Sequence, residues 1–276
     1  MKTNKIQLVK LLFLVAITAA LFNCKGKQGD PGPAGAKGDT GVTGATGPSL
    51  AGTISGVLTL TLANGTQPTD MSGVAVKNNK GGSDTTTTTG AWSLNEVTGI
   101  YNLTFSKAGY GTTTVYGSGF VGGGNSYLNT VALSQPPSFT VSLALDTVGG
   151  HSTATKDLHI NVDFTINSTP PLEQDAEVFV YYSTSSTVDT ANYMGLTVIT
   201  VPAGQTTYKG SITGADLLAA QIESGQIVYM VAYPSSAPAA LSSKYVKETT
   251  GKTVYTALGQ PSPLPTAPVV YVQVPQ

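Results

Sequence analysis

The sequence contains no arginine, two histidines and one cysteine, Cys24, and only 11% of its 276 residues are charged. Proteins that bind nucleic acid normally present arginine forks on a basic face. Without residues 1–23 the chain has 11 lysines against 15 acidic residues, a net charge of −4. The composition therefore excludes nucleic acid as a partner. The lone cysteine also excludes a disulfide within the chain.

The motifs of common enzyme classes are missing as well. The sequence has no G-x-S-x-G nucleophile elbow, no P-loop and no dinucleotide-binding fingerprint. Asp157 and Asp163 lie too far apart to form a glycosidase pair without help from the tertiary structure. We therefore expect no catalytic residue and no cofactor, and we predict that the protein is not an enzyme.

Candidate metal ligands are few. His151 and His159 match no zinc-binding spacing, and no further cysteine could complete a site with them. Glu173, Asp175 and Glu177 alternate, so an extended backbone would place them on one face, where their oxygens could bind calcium. Their spacing lacks the EF-hand pattern, and a solvated acidic segment at the start of a strand is the favoured interpretation. We predict no metal site.

Long apolar runs are also missing, and no segment reaches the 18 residues of a membrane-spanning helix. A shorter apolar run, Leu11–Leu21, follows three lysines and has the proportions of a signal peptide. The run is followed directly by Phe22-Asn23-Cys24, and Leu21–Cys24 resembles a bacterial lipobox, although Asn23 stands where the strict pattern has Gly, Ala or Ser. The resemblance implies that residues 1–23 are removed and that Cys24 is lipidated, which gives a stable membrane anchor.

Eight unbroken Gly-X-Y triplets occupy residues 26–49. Their glycines are Gly26, Gly29, Gly32, Gly35, Gly38, Gly41, Gly44 and Gly47. Three polyproline-II chains wound around one axis need this period, because only glycine fits there, whereas a flexible spacer does not. The pattern predicts a collagen-like stalk that joins three chains into a homotrimer. Because prolines are few, we expect a weak triple helix. The folded part of the chain beyond residue 50, which we call the head, or the membrane anchor must then help to keep the three chains together.

Beyond residue 50 the pattern changes to short β-branched runs separated by Gly, Asn and Pro, which is typical of an all-β sandwich. The predicted strands are 53–63, 74–77, 84–89, 92–94, 101–105, 111–116 and 131–133. In the first of these we expect Val57 to face inward and Thr61 outward. Pro136-Pro137 cannot donate to a ladder, so we place a domain boundary there, with domains at 50–136 and 137–276.

Five segments of the first domain occur in an order that resembles a known family. They are Gly52–Gly56, Gly73–Val76, Thr86–Leu94, Gly99–Phe105 and Ala108–Tyr110. Together they are similar to the carboxypeptidase regulatory-like domain, over residues 52–133. The resemblance implies a transthyretin-like Greek-key sandwich of seven strands that serves as a structural or recognition module. It also places Thr85–Thr89 in a strand.

The residues agree with this resemblance. Gly90 suits a hairpin, and Gly109 permits a turn at positive φ. Trp92 and Phe105 provide large aromatic side chains to fill the core. Tyr110, Tyr116 and Tyr127 could form an aromatic recognition patch around the 122–124 glycine loop, but core packing explains these tyrosines equally well.

The second domain has a similar strand pattern. The predicted strands are 139–145, 158–166, 178–182, 196–201, 206–212, 227–233 and 269–274, and the second of them alternates apolar and polar residues without error. Thr213 as N-cap, Asp216 three residues later and Gly225 as stop predict a short helix over Ala215–Glu223. We expect a fibronectin type III or immunoglobulin-like sandwich.

These observations predict an outer-membrane lipoprotein at the cell surface. It is held in the membrane through Cys24 and presents two β-sandwiches on a trimeric stalk for adhesion or structural interaction. A host matrix protein or a glycan would be its ligand. The alternative is a periplasm-facing lipoprotein that binds carbohydrate or assists transport.

Overall fold

The structure, a computed structural model, describes residues 49–145, 159–168, 172–223, 225–262 and 270–273, with Gly29, Asp30, Gly32 and Gly35. The predicted signal peptide, Cys24, His151 and Asp157 lie outside the described residues. So do the triplet glycines Gly26, Gly38, Gly41, Gly44 and Gly47. The chain divides into two compact units, 1–47 and 48–276, and the strands below all belong to the second. The anchor and the stalk stay predictions.

Seven strands form the first sandwich. They are β1 (Ala51–Thr61), β2 (Ala75–Asn78), β3 (Ser83–Thr85), β4 (Ala91–Val97), β5 (Gly99–Ser106), β6 (Thr113–Phe120) and β7 (Asn125–Ser134). One sheet has the order β4-β1-β7 and the other β3-β2-β5-β6. Strand β1 runs antiparallel to β4 and parallel to β7. The predicted all-β sandwich architecture is confirmed.

The core of the first sandwich is built around an aromatic pair. The Trp92 and Phe105 rings meet edge to face with centroids 5.2 Å apart, and both are buried, as predicted. Gly56 lies opposite Trp92 across the β1–β4 ladder, where a Cβ would stand 2.9 Å from the indole ring. The absence of a side chain at Gly56 therefore makes room for Trp92.

Three details of the first sandwich correct the sequence predictions. Strand β3 ends at Thr85, because the Thr86 side chain turns inward to accept from the Val74 N–H and donate to the Met71 carbonyl. The remaining threonines form the turn that Gly90 closes at φ +80°, so the predicted strand over 86–89 is wrong.

The faces of β1 also differ from the prediction. Ile54, Leu58 and Leu60 are buried, so Val57 lies on the opposite face and is half-buried. Thr61 is buried rather than outward, at the point where the Gln135 N–H donates to its carbonyl. Strands β6 and β7 extend further toward each other than predicted and leave only 121–124 as their turn.

Nine strands and a helix are found among the described residues after Pro136-Pro137. They are β8 (Thr140–Leu145), β9 (His159–Asn167), β10 (Ala176–Ser183), β11 (Gly195–Val201), β12 (Thr207–Thr213), α1 (Gly214–Ala219), β13 (Ile227–Ser235), β14 (Lys244–Val246), β15 (Thr253–Tyr255) and β16 (Val270–Gln273). The sheets β11-β10-β13-β16 and β12-β9-β8 enclose a core that includes the predicted alternating residues Ile160, Val162, Phe164 and Ile166. We call this part the second sandwich.

The helix α1 begins as predicted but ends early. The Thr213 hydroxyl accepts from the Asp216 N–H, and the Asp216 carboxylate accepts from the Thr213 N–H, which completes a capping box. The chain leaves the helix after Ala219 because Gln221 adopts a φ of 59°, so Gly225 is not the stop. Within the described ranges, no helix has the length and apolarity needed to cross a bilayer.

Strand β10 is buried on both of its faces. Val178, Val180 and Tyr182 point into the core between the sheets. Phe179 and Tyr181 point the other way, into a second cluster that includes Tyr255 on β15. One face of an antiparallel sheet commonly meets water. Here Ala239, Tyr255 and Leu258, from the part of the chain that contains the β14–β15 hairpin, pack against that face.

Candidate binding groove

A groove lies where the β14–β15 hairpin meets the first sandwich. Strands β6 and β7 are edges of their two sheets, and β14 packs beside β6. The space between them has a volume of about 610 Å³. It is lined by residues 113–116 of β6, 128–132 of β7, and Ala240, Ser242, 244–246, Glu248 and Thr253 of the hairpin region. We call it the β6–β7 groove.

Thr113 joins the three elements at the base of the groove. Its buried hydroxyl donates to the Ala132 carbonyl of β7 at 2.8 Å and accepts from the Lys244 N–H of β14 at 3.1 Å. Val131 and Ala132 are buried beside it. One side chain therefore bonds β7 and β14 together at the base of the groove.

The walls of the groove combine aromatic rings with one cation. Tyr116 is 40% exposed and Tyr245 is half-buried. The Lys244 ammonium donates to the Ala239 carbonyl at 2.8 Å and lies 5.8 Å from the centroid of the Tyr255 ring. Burial lowers the pKa of Lys244. Glu248, at the mouth, is exposed.

The groove offers polar groups along its length. Edge strands have backbone N–H and C=O groups on the side that faces no neighbouring strand. Thr114, Asn129 and Thr130 add hydroxyl and amide groups that can both donate and accept. The arrangement suits an extended polar ligand that makes several hydrogen bonds and places an apolar surface against a tyrosine ring.

The structure does not bring the three predicted tyrosines together. Tyr116 lines the groove, and Tyr127, 64% exposed, lies near the start of β7. Tyr110 packs against the core near the other end of β7, where the adjacent Gly111 N–H donates to the Ser134 carbonyl. The seven residue-to-residue steps from Tyr127 to Ser134 span roughly 23 Å along the strand. The three tyrosines therefore do not form one patch around 122–124, and the sequence analysis missed the hairpin residues that complete the groove.

Two of the three acidic residues at 173, 175 and 177 accept hydrogen bonds from within the protein. Asp175 accepts from the Ala203 N–H at 3.0 Å, and Glu177 accepts from the Thr200 hydroxyl at 3.2 Å, while Glu173 is exposed. Burial, and to a lesser extent the charge of Asp175, raise the pKa of Glu177. Among the described residues, no three His, Cys, Asp or Glu side chains cluster as metal ligands do.

The other residues considered from sequence lie apart from the groove. Asp163 pairs with Lys209 at 3.5 Å in the second sandwich. The backbone of His159 is paired with Thr213 in the β9–β12 ladder, and its side chain lies outside the described residues.

Comparison with known proteins leaves the family open. No protein-family model matches the chain, and no curated protein matches it. The first-sandwich resemblance to the carboxypeptidase regulatory-like domain therefore stays a prediction.

The solved structures that match this chain share little sequence with it. A protein proposed to bind carbohydrate, from Bacteroides uniformis, is 16% identical over 81% of this chain and 99% of its own, with a TM-score of 0.28. A DUF3823 family protein from Parabacteroides merdae is 16% identical over 77% of this chain and 98% of its own, with a TM-score of 0.25.

A cohesin–X-dockerin complex from Acetivibrio cellulolyticus is 23% identical over 28% of this chain, with a TM-score of 0.24, and this chain spans only 51% of that match. TM-scores this low assign neither a family nor a ligand to the chain.

Proposed function

We propose that the protein is a lipid-anchored, non-catalytic protein of the outer membrane and cell surface that presents its β-sandwiches on a collagen-like stalk for adhesion or structural interaction. The signal-like N-terminus, Cys24 and the eight triplets support the anchor and the stalk. Buried hydrogen bonds between the two sandwiches support a head in which the two sandwiches keep one relative arrangement.

The β6–β7 groove is the observation that supports binding. An extended segment of a partner polypeptide adds to a free strand edge through backbone hydrogen bonds, and β6 and β7 are both sheet edges. Tyr116 and Tyr245 then bury against the side chains of that segment, as tyrosines do at the centre of many interfaces.

Binding of the ectodomain, residues 25–276, to immobilised matrix proteins tests this function. Tyr116→Ala and Tyr245→Ala should each weaken binding about tenfold or more, since truncated anchor residues commonly cost that much. Tyr127→Ala is the matched control, because Tyr127 is an exposed tyrosine outside the groove lining. Equal losses in all three variants would contradict a site in the groove.

The anchor and the location have separate tests. Cys24→Ala should leave an unprocessed precursor and abolish labelling by radioactive palmitate, and a variant that is still labelled would refute the lipobox. Protease treatment of intact cells should remove the head if it is displayed outside. A head that survives protease on intact cells, but not on lysed cells, would favour the periplasmic alternative.

Carbohydrate binding is the second candidate, and the chemistry of the groove wall favours it. Sugars stack their apolar face on aromatic rings, and hydroxyl and amide side chains bond their hydroxyls. Tyr116 with Thr114 and Asn129 provides such a combination. A glycan array probed with the ectodomain tests it. A hit that Tyr116→Ala abolishes and Tyr127→Ala retains would support carbohydrate as the ligand, and an empty array would count against it.

A further inference from the structure

One end of the first sandwich exposes large apolar side chains from three chain segments. Leu50, Ile100 and Val121 are 50%, 66% and 82% exposed, and they are three of the nine large apolar residues found exposed in the described part of the chain. We call them the apolar end patch. An apolar patch of this kind on a stable domain commonly marks an interaction surface.

Hydrogen bonds through Thr98 hold the patch together. Its N–H donates to the Leu50 carbonyl at 3.0 Å, and its hydroxyl donates to the Val121 carbonyl at 2.9 Å. Thr98 itself lies in the β4–β5 turn, two residues before Ile100. The three apolar residues therefore come from three chain segments that are tied together through Thr98.

A charged group borders the patch. The Lys80 ammonium would lie 2.5 Å from a Cβ at Gly99, the residue before Ile100, and is 4.3 Å from the centroid of the Tyr101 ring. An apolar centre with a polar rim is the usual anatomy of a protein–protein interface.

The position of the patch in the chain indicates its partner. The last triplet glycine is Gly47, and Leu50 is the third residue after it. Three residues span at most about 10 Å. Three chains of a triple helix leave it side by side around one axis. The Leu50 residues of three chains joined by the stalk are therefore brought close together around that axis.

We infer that the apolar end patch is the head-to-head contact of a homotrimer, in which the patch of each chain packs against the patches of two further copies around a threefold axis. The inference rests on the proposed stalk. A triple helix with few prolines has little stability of its own. Burial of apolar side chains between the heads would add stability and hold the three chain ends in register.

Lysine substitutions in the patch test the inference in the full ectodomain, residues 25–276. The wild type should be a trimer by analytical ultracentrifugation at about 10 µM, a concentration at which weak assemblies begin to dissociate. Ile100→Lys and Val121→Lys should each raise the concentration at the trimer–monomer midpoint at least tenfold. Leu218→Lys is the control, because Leu218 is 68% exposed but lies on α1 in the second sandwich. Circular dichroism and Trp92 emission should be the same in all variants, which separates dissociation from unfolding.

The outcomes distinguish the inference from the proposed function. If Ile100→Lys and Val121→Lys keep the wild-type midpoint, the patch is not the contact, although the trimeric stalk stands. If Leu218→Lys dissociates the trimer as strongly as they do, added charge and not the patch explains the loss, and the inference fails. A wild-type ectodomain that is monomeric at about 100 µM would overturn both the contact and the trimeric stalk. Ligand binding in the β6–β7 groove would be unaffected by any of these results.

Discussion

Ser134 and Ser243 exchange hydrogen bonds across the boundary between the two sandwiches. The Ser134 N–H donates to the Ser243 hydroxyl oxygen at 2.7 Å, and the Ser243 N–H donates to the Ser134 hydroxyl oxygen at 3.1 Å. Both residues have no exposed surface. The Ser243 hydroxyl in turn donates to the Gly111 carbonyl at 3.1 Å. The pair closes the junction beside the base of the β6–β7 groove.

Further bonds extend this junction along the same boundary. The Ser236 hydroxyl donates to the Gln135 carbonyl at 2.5 Å, and the Thr256 hydroxyl donates to the Thr112 carbonyl at 2.7 Å. Buried polar groups with satisfied hydrogen bonds favour one relative arrangement over others. The two sandwiches therefore form one body at this boundary, and the hairpin that completes the groove belongs to it.

Ser243→Ala should lower the free energy of unfolding by about 1–3 kcal/mol, because the buried Ser134 N–H loses its acceptor. Urea unfolding followed by far-ultraviolet circular dichroism measures the change. Ser142→Ala, at an exposed serine of β8, is the control and should have little effect. A loss below 0.5 kcal/mol for Ser243→Ala, the usual range of neutral surface changes, would show that the junction adds no stability.

Gly111→Ala should strain the same junction by a steric route. A Cβ at Gly111 would lie 2.7 Å from the Ser243 Cβ and 2.8 Å from the Ala257 Cβ. Overpacking of this kind typically costs about 1–3 kcal/mol. At Gly119 of β6 a Cβ meets nothing within 4 Å, so Gly119→Ala should leave stability unchanged or slightly raised. Calorimetry of both variants checks the difference, and equal melting temperatures would contradict it.

Trp92→Ala should lower the free energy of unfolding by about 3–5 kcal/mol, because it leaves a cavity against Phe105. The wild-type emission should be blue-shifted and should move to the red in one step with urea. Trp92→Phe should lower the free energy of unfolding by less, because the phenyl ring fills part of the space of the indole. The substitution also loses no hydrogen bond, since the buried indole N–H has no partner among the described residues. An exposed Trp92 emission in the native protein would be inconsistent with this core.

The tyrosine cluster on the outer face of β10 predicts alkaline sensitivity. Burial raises the pKa of Tyr181, and the negative charges that Tyr193, Tyr255 and Tyr233 carry when ionised raise it further. The folded state therefore holds this proton more tightly than the unfolded state does. The resulting stability is complete below the unfolded pKa of about 10 and is lost as the pH rises above it.

Tyr181→Phe tests the contribution of this group to alkaline unfolding. The variant should lose less stability than the wild type as the pH rises above about 10. At neutral pH it should be as stable as the wild type to within about 1 kcal/mol, because the Tyr181 hydroxyl is buried with no partner in the described part of the chain. Urea unfolding between neutral and alkaline pH measures both effects. Tyr127→Phe, at an exposed tyrosine, is the control, and an equal shift in it would refute the assignment to Tyr181.

Local chemistry in the sequence determined much of the secondary structure. The segment 158–166, in which apolar and polar residues alternate, forms most of β9. Thr213 and Asp216 form the capping box of α1. Gly90 and Gly109 adopt the positive φ values that their turns require. Each of these features depends on residues within a few positions of one another, so a periodicity or a turn residue is sufficient to predict it.

The tertiary structure alone decided the groove and the junction. Strands β14 and β15 have three residues each, too few to show a period, and the predictions omitted them. Thr113 and Lys244, which meet at the base of the groove, are 131 residues apart in the chain. Likewise, Gly56 and Trp92 fit together only once β1 and β4 are paired. Contacts between distant segments depend on how the sheets pack, because packing and not local preference determines which surfaces are buried against each other.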